Sequence, residues 1–154
     1  MKKKRIYLAG AIGCYPPGSR EPIEWRVQVD KDIRHFYGEA FYAFNPMDYY
    51  QYGSDFHQSE REPMIYDLRA VENSNIVLVN LKDINSSIGT SDEILTAYQK
   101  NIPVIGFLKT EEILKTKEEL YQYIHPWKVE QIDRIETGID AMDKAIKYIV
   151  DFYS

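Results

Sequence analysis

The 154-residue chain has a single cysteine, Cys14, so neither a disulfide framework nor a multi-cysteine zinc site forms within one chain. No apolar run approaches the ~20 residues that a membrane-spanning helix needs. The basic opening Lys2-Lys3-Lys4-Arg5 leads straight into a strand-like run and not into the apolar stretch of a signal peptide. A soluble, cytoplasmic protein with no membrane partner is therefore expected. An excess of positive charge is also missing. The formal net charge is -5, which argues against a general polyanion-binding surface and so against a nucleic acid polymer as partner. The dinucleotide fingerprint GxGxxG and the GK[ST] of a P-loop are both absent. No His, Cys, Asp or Glu cluster has metal-ligand spacing, so no metal and no cofactor is expected. Repeats, low-complexity tracts and linkers are lacking, and the length suits one domain over 1–154.

What the chain does have is a series of short, wholly apolar runs separated by amphipathic segments. Arg5–Ala9, Ala40–Phe44, Ile76–Leu81, Pro103–Phe107 and Val129–Ile135 read as strands. Between them lie helical patterns. The first, 23–37, places Trp25, Val29, Ile33 and Phe36 on one side, and the second, 60–74, so places Met64, Ile65, Leu68 and Val71. A third, Thr90–Lys100, carries Ile94, Leu95, Ala97 and Tyr98, and a last helix opens at Thr137 or Gly138 with Ile139, Met142, Ala145, Ile146 and Ile149 as its stripe. The charged stretch after Phe107 reads as an irregular outer helix, and 123–127 as a loop. Strands alternating with helices imply an α/β fold: a doubly wound, five-stranded parallel sheet with helices on both faces. In such sheets ligands sit beyond the carboxyl ends of the strands. The chain also has thirteen tyrosines, a residue favoured at interfaces because it joins apolar area to a polar tip. Self-association into a homo-oligomer is expected.

The loop after Ile76–Leu81 and the helix that follows it fall at that carboxyl edge, and Glu93 stands near the helix start. Two readings of Glu93 are open. In Thr90-Ser91-Asp92-Glu93 it fits a capping box, with the glutamate bonded back to the cap amide. It equally fits a carboxylate aimed into a ligand cleft. Asp67 lies at the border of an apolar helix face, either pointing into the same cleft or paired with Arg69 or Arg26. Gly10-Ala11-Ile12-Gly13 ends the first strand, and a long, proline-rich loop follows it. Arg20 and Arg26 are either solvated or a source of countercharge for an anionic substrate. The aromatic loop of Tyr49, Tyr50, Tyr52 and Phe56 either stacks on a planar base or covers a core edge or subunit contact.

The blocks Tyr7-Leu8-Ala9-Gly10, Asp67-Leu68 before Ser74-Asn75-Ile76-Val77, and Gly89-Thr90-x-x-Glu93-Ile94 before Pro103-Val104-Ile105 resemble the nucleoside 2-deoxyribosyltransferase family. That family carries Y-x-x-G, a D-L helix before a DIVLANL-like strand, and G-T-x-x-E-[LI]-G-Y-A. The resemblance spans most of the chain, Lys109–Tyr121 contributing least. It implies a flavodoxin-like fold, usually oligomeric, and transfer of a 2-deoxyribosyl group between nucleobases through a covalent glycosyl-enzyme on Glu93. It further implies that Tyr7 orients that carboxylate and that Asp67 acts on the sugar or the leaving base. Gly10, Ile12, Asn45, Asp48, Ser87, Gly89 and Thr90 would bind a nucleoside or nucleotide and a free nucleobase. Two alternatives stand beside it: a nucleoside 5′-monophosphate N-glycosidase of the same fold, and a non-catalytic nucleotide-binding module. Three departures bear on the substrate. Leu95-Thr96-Ala97 replaces Gly-Tyr-Ala, Ser87 stands where an Asp is frequent, and the loop after Gly10 is long.

Overall fold

The computed structural model describes residues 2–49 and 58–154. Five strands form one all-parallel sheet: β1 Lys4–Gly10, β2 Phe41–Phe44, β3 Ile76–Asn80, β4 Val104–Lys109 and β5 Arg134–Gly138, in the spatial order β2-β1-β3-β4-β5. The helices are α1 Glu21–Tyr37, α2 Arg61–Glu72, α3 Ile88–Gln99, α4 Lys117–Tyr121, α5 Pro126–Gln131 and α6 Ala141–Tyr153, with short 3-10 turns at Pro46–Asp48 and Ile84–Ser86. The expected doubly wound α/β architecture is the one observed.

Strand side chains alternate between the two faces of a sheet, and each face here has its own core. Ile6 and Leu8 of β1 pack with Val29 and Ile33 of α1 and with Ala145, Ile146 and Ile149 of α6. Tyr7 and Ala9 point the other way, toward Val71 of α2, Ile94 and Ala97 of α3, and Val129 of α5. Because β1, β3 and β4 are covered on both faces, their sequences are apolar without alternation. The chain leaves β1 for β2 on one side and later returns to β3 on the other. That reversal of winding opens a crevice at the carboxyl ends of β1 and β3.

Several element boundaries differ from the sequence reading. Residues 129–131 belong to α5, not to a strand; Pro126 sits in its first turn and the His125 ring caps it by accepting from the Trp127 amide at 3.1 Å. The last strand is β5, which begins at Arg134, and Thr137-Gly138 end it instead of opening a helix. α6 starts at Ala141, leaving Ile139 largely exposed and off the apolar stripe. Phe36 is exposed too, whereas Arg26 is buried. α2 buries only Ala70 and Val71 fully, and Met64 stays open. The charged stretch after β4 is helical only over α4, which Thr116 caps. Among the described residues no helix is long and apolar enough to cross a membrane.

Candidate active site

A cleft of about 380 Å³ lies at the carboxyl ends of β1 and β3. Three walls meet there. The first is the end of β1 and its loop, with Gly10, Ile12, Gly13 and Cys14; α2 supplies Pro63, Met64, Asp67 and Leu68, with Glu60 just ahead of it. The third is the start of α3, with Ser86, Ser87, Gly89, Thr90, Asp92 and Glu93. The first loop is tied across the crevice. Tyr15 donates to Asp83 at 2.5 Å, and Lys82 pairs with Glu21 at 2.9 Å. Asp83 takes the left-handed backbone conformation, at φ 58°, that turns the chain after β3.

Glu93 sits at the bottom of the cleft with only 7% of its surface exposed. Its carboxylate accepts a hydrogen bond from the phenol of Tyr7. Tyr7 is fully buried, projects from the middle of β1 toward α3, and is held flat against Phe44 with ring centroids 5.6 Å apart. The capping reading of Glu93 does not survive. Ser87 is the N-cap of α3, accepting from the Thr90 amide at 3.3 Å and donating to the Thr90 hydroxyl at 2.8 Å. Glu93 therefore lies in the second turn, beyond reach of the cap amides. Burial pushes its pKa up to about 8. The Tyr7 hydrogen bond and the Arg26 charge pull against that rise, while Asp67 and Asp92 add to it.

Asp67 is half-buried on the α2 wall, in the same cleft as Glu93. Arg69 lies around the helix, against a separate depression of about 510 Å³ lined also by Arg5, Phe44 and Tyr66. Of the other expected site residues, the structure brings Gly10, Ile12, Ser87, Gly89 and Thr90 to the cleft. Asn45 and Asp48 are not among the described residues lining it; the Asn45 side chain caps the Pro46–Asp48 turn through the Met47 amide at 3.0 Å. Tyr49 stacks on Phe44 with centroids 4.7 Å apart, while Tyr50, Tyr52 and Phe56 fall outside the described residues. Arg20 is exposed, 3.9 Å from Glu24. No group of three or more metal-ligating side chains occurs among the described residues.

Two glycines at the cleft differ in what they permit. A Cβ on Gly10 would come within 2.8 Å of the Trp25 ring and 3.4 Å of the Arg26 guanidinium. A Cβ on Gly89 would meet nothing within 4 Å. The first glycine serves the protein's own packing, whereas the second leaves open space above the helix start.

No protein-family model and no curated protein sequence matches the chain. Solved structures do. A conserved protein from Enterococcus faecalis V583 superimposes with a TM-score of 0.69 at 16% identity, over 96% of this chain and 99% of its own. A 2-desoxiribosyltransferase from Leishmania mexicana gives 0.67 at 15% identity, over 98% and 99%. A 2-deoxyribosyltransferase from Bacillus psychrosaccharolyticus gives 0.54 at 22% identity, over 84% and 92%. The fold of this chain is the flavodoxin-like fold in which those two transferases are built.

Proposed function

We propose that the protein transfers a 2-deoxyribosyl group between nucleobases, with Glu93 as nucleophile. One observation carries the reading: a buried glutamate at the carboxyl end of the central strands, hydrogen-bonded to Tyr7, in a cleft that also holds Asp67. Breaking an N-glycosidic bond develops positive charge at C1′ as the base departs. An anionic carboxylate on the opposite sugar face pairs with that charge and then bonds to C1′, while the electron pair of the C1′–N bond leaves with the base. The low-dielectric surroundings that make the free anion costly also make its pairing with a nascent cation strong. A second base then attacks C1′ from the vacated face, the ester bond breaks, and configuration is retained overall. Asp67, across the cleft, binds a sugar hydroxyl or supplies a proton to the departing base.

Charge favours a free nucleoside over its 5′-monophosphate. Glu60, Asp67, Asp92 and Glu93 line the cleft, and Arg26 is the one cation among its described lining residues. The segment 50–57 contains no lysine or arginine. A phosphate dianion would meet several carboxylates, and the Ser87 and Thr90 hydroxyls are already bonded to each other. The aromatic faces left outside, with Tyr98, Tyr123 and Trp127 half or more exposed, support self-association, which light scattering tests.

Incubation with a deoxynucleoside and a second free base, followed by chromatography, separates the readings. Exchanged nucleoside is expected. Free base without exchange would mean hydrolysis, and a preference for the 5′-monophosphate would overturn the charge argument. Silence on all substrates would leave a binding module.

A further inference from the structure

We propose that Arg26 is a positioning residue for the transfer reaction, holding the end of β1 on the side where β2 has already stopped and setting the cleft floor against Glu93. The proposal rests on the functional reading above for its kinetic part only.

The Asn75 amide donates to the Arg5 carbonyl at 2.9 Å, so the odd-numbered carbonyls of β1 face β3. Alternation turns the carbonyls of Ile6, Leu8 and Gly10 toward β2. β2 ends at Phe44, opposite Tyr7, while β1 runs on to Gly10. The Leu8 and Gly10 carbonyls thus point into the interior beyond the end of their neighbouring strand. The Arg26 guanidinium takes that place. Its Nη2 donates to the Gly10 carbonyl at 2.9 Å and its Nε to that of Leu8 at 3.4 Å, while Nη1 reaches the Pro22 carbonyl at 2.5 Å.

The side chain is 1% exposed, and the Trp25 ring lies 4.7 Å from the guanidinium carbon. Trp25 is itself set edge-on against Phe107. Gly10 has no side chain where one would strike Trp25 and touch Arg26. A planar fork with several N–H groups can bridge carbonyls on two residues; a lysine ammonium brings the charge without that span. Gly10 is also the first residue of the loop wall that continues to Cys14 in the cleft. Fixing its carbonyl fixes where that wall begins.

The same group sets part of the cleft's field. Tyr7 from β1, Asp67 and Glu60 from the α2 side and Asp92 from α3 face the region of Glu93, and Lys128 of α5 bonds the Ser91 carbonyl beside Asp92. Within that group Arg26 is the buried cation, and its charge favours ionised Glu93. Buried charge is poorly screened by salt, so its effect persists at high ionic strength.

Arg26→Gln and Arg26→Lys test this. The Glu93 midpoint is followed by carboxyl-carbon NMR, which needs no turnover, and kcat and KM are followed against pH. For Arg26→Gln the Glu93 midpoint is expected to rise by about one unit, with kcat/KM about tenfold lower at neutral pH. The part of that loss due to the missing charge should return at alkaline pH, leaving the kcat deficit that Arg26→Lys shows. For Arg26→Lys the midpoint should stay near wild type while kcat falls and KM changes little, because the charge is kept and the double carbonyl contact is lost. An unmoved midpoint in folded Arg26→Gln, or wild-type kcat in Arg26→Lys, would overturn the proposal. If Arg26→Gln does not fold, Arg26→Lys decides by its kcat alone. Should no exchange activity exist, the midpoint shift in Arg26→Gln still tests the electrostatic half, so the two failures are distinguishable.

Discussion

Replacing Glu93 with Gln should abolish turnover and, at alkaline pH, make the protein more stable. In an unfolded chain a glutamate titrates near about 4.3; in the folded protein burial holds Glu93 at about 8. The folded state therefore keeps this proton more tightly than the unfolded state does. Between those two values the unfolded chain is ionised while the folded one is still protonated, so stability falls as pH rises through that window. Above about 8 the folded protein carries the whole cost of the buried anion. At ~1.4 kcal/mol per unit, the gap amounts to about 5 kcal/mol as an upper figure. Glutamine keeps the shape and can still accept from Tyr7, but it never ionises.

The assay is thermal melting of wild type and Glu93→Gln at pH 5 and pH 9. At pH 5 both folded side chains are neutral but the unfolded glutamate is already mostly ionised, which costs about 1 kcal/mol, so the variant should melt only about 2–4 °C above wild type. At the higher pH, half of the upper figure is ~2.5 kcal/mol, which for a chain of this size raises Tm by about 5–10 °C. All other titrating groups are shared and cancel in the difference. An equal gap at both pH values, or a less stable variant at pH 9, would refute a Glu93 whose ionisation is suppressed by burial. Gain of stability with loss of activity is the signature of a charge kept for chemistry.

Tyr7→Phe keeps the stacking on Phe44 but removes the donor to Glu93; kcat/KM should fall about tenfold or more at neutral pH, with its rising limb displaced to higher pH. Asp67→Asn should melt like wild type yet lose about 100-fold in kcat/KM, and unchanged kinetics across several substrates would make it a bystander. Gly89→Ala should leave Tm level or slightly raised, since a helix prefers alanine by ~1 kcal/mol, while KM rises if the substrate occupies the space above it; Gly10→Ala should instead lose roughly 1–3 kcal/mol of stability through the Trp25 clash.

The strands most legible in the sequence are those buried on both sides, although the edge strand β2 was legible too. β1, β3 and β4 stand out because helices cover both of their faces. β5 did not, because at the sheet edge Arg134 is half exposed and pairs at 2.8 Å with the largely covered Glu136; its pattern lacks the apolar run, and the nearby Val129 and Ile132 supplied a false one. The sequence reading starts the helix before Glu93 too late, at a Thr90-x-x-Glu93 capping box, whereas the chain caps it three residues earlier at Ser87. Glu93 was thereby freed from the cap, an outcome set by tertiary burial and not by local preference.

Arg26 was misjudged for a different reason. Positions 22, 26, 29 and 33 make a helical stripe as regular as 25, 29, 33 and 36, and the first set is the one α1 buries. A period-based reading passes over it because an arginine on an apolar stripe looks like an error. Arg26 and Glu93 are charges at core positions, and both lie at the crevice between β1 and β3. Each departs from what packing alone would select, at a place where the winding of the sheet reverses. An arginine in the core is tolerated because β2 stops short and leaves carbonyls to be met. A buried glutamate has no such structural use: its hydrogen bond to Tyr7 offsets only part of its burial. Of the two departures, Glu93 is thus the one that folding does not require, and a charge that folding does not require is one kept for chemistry.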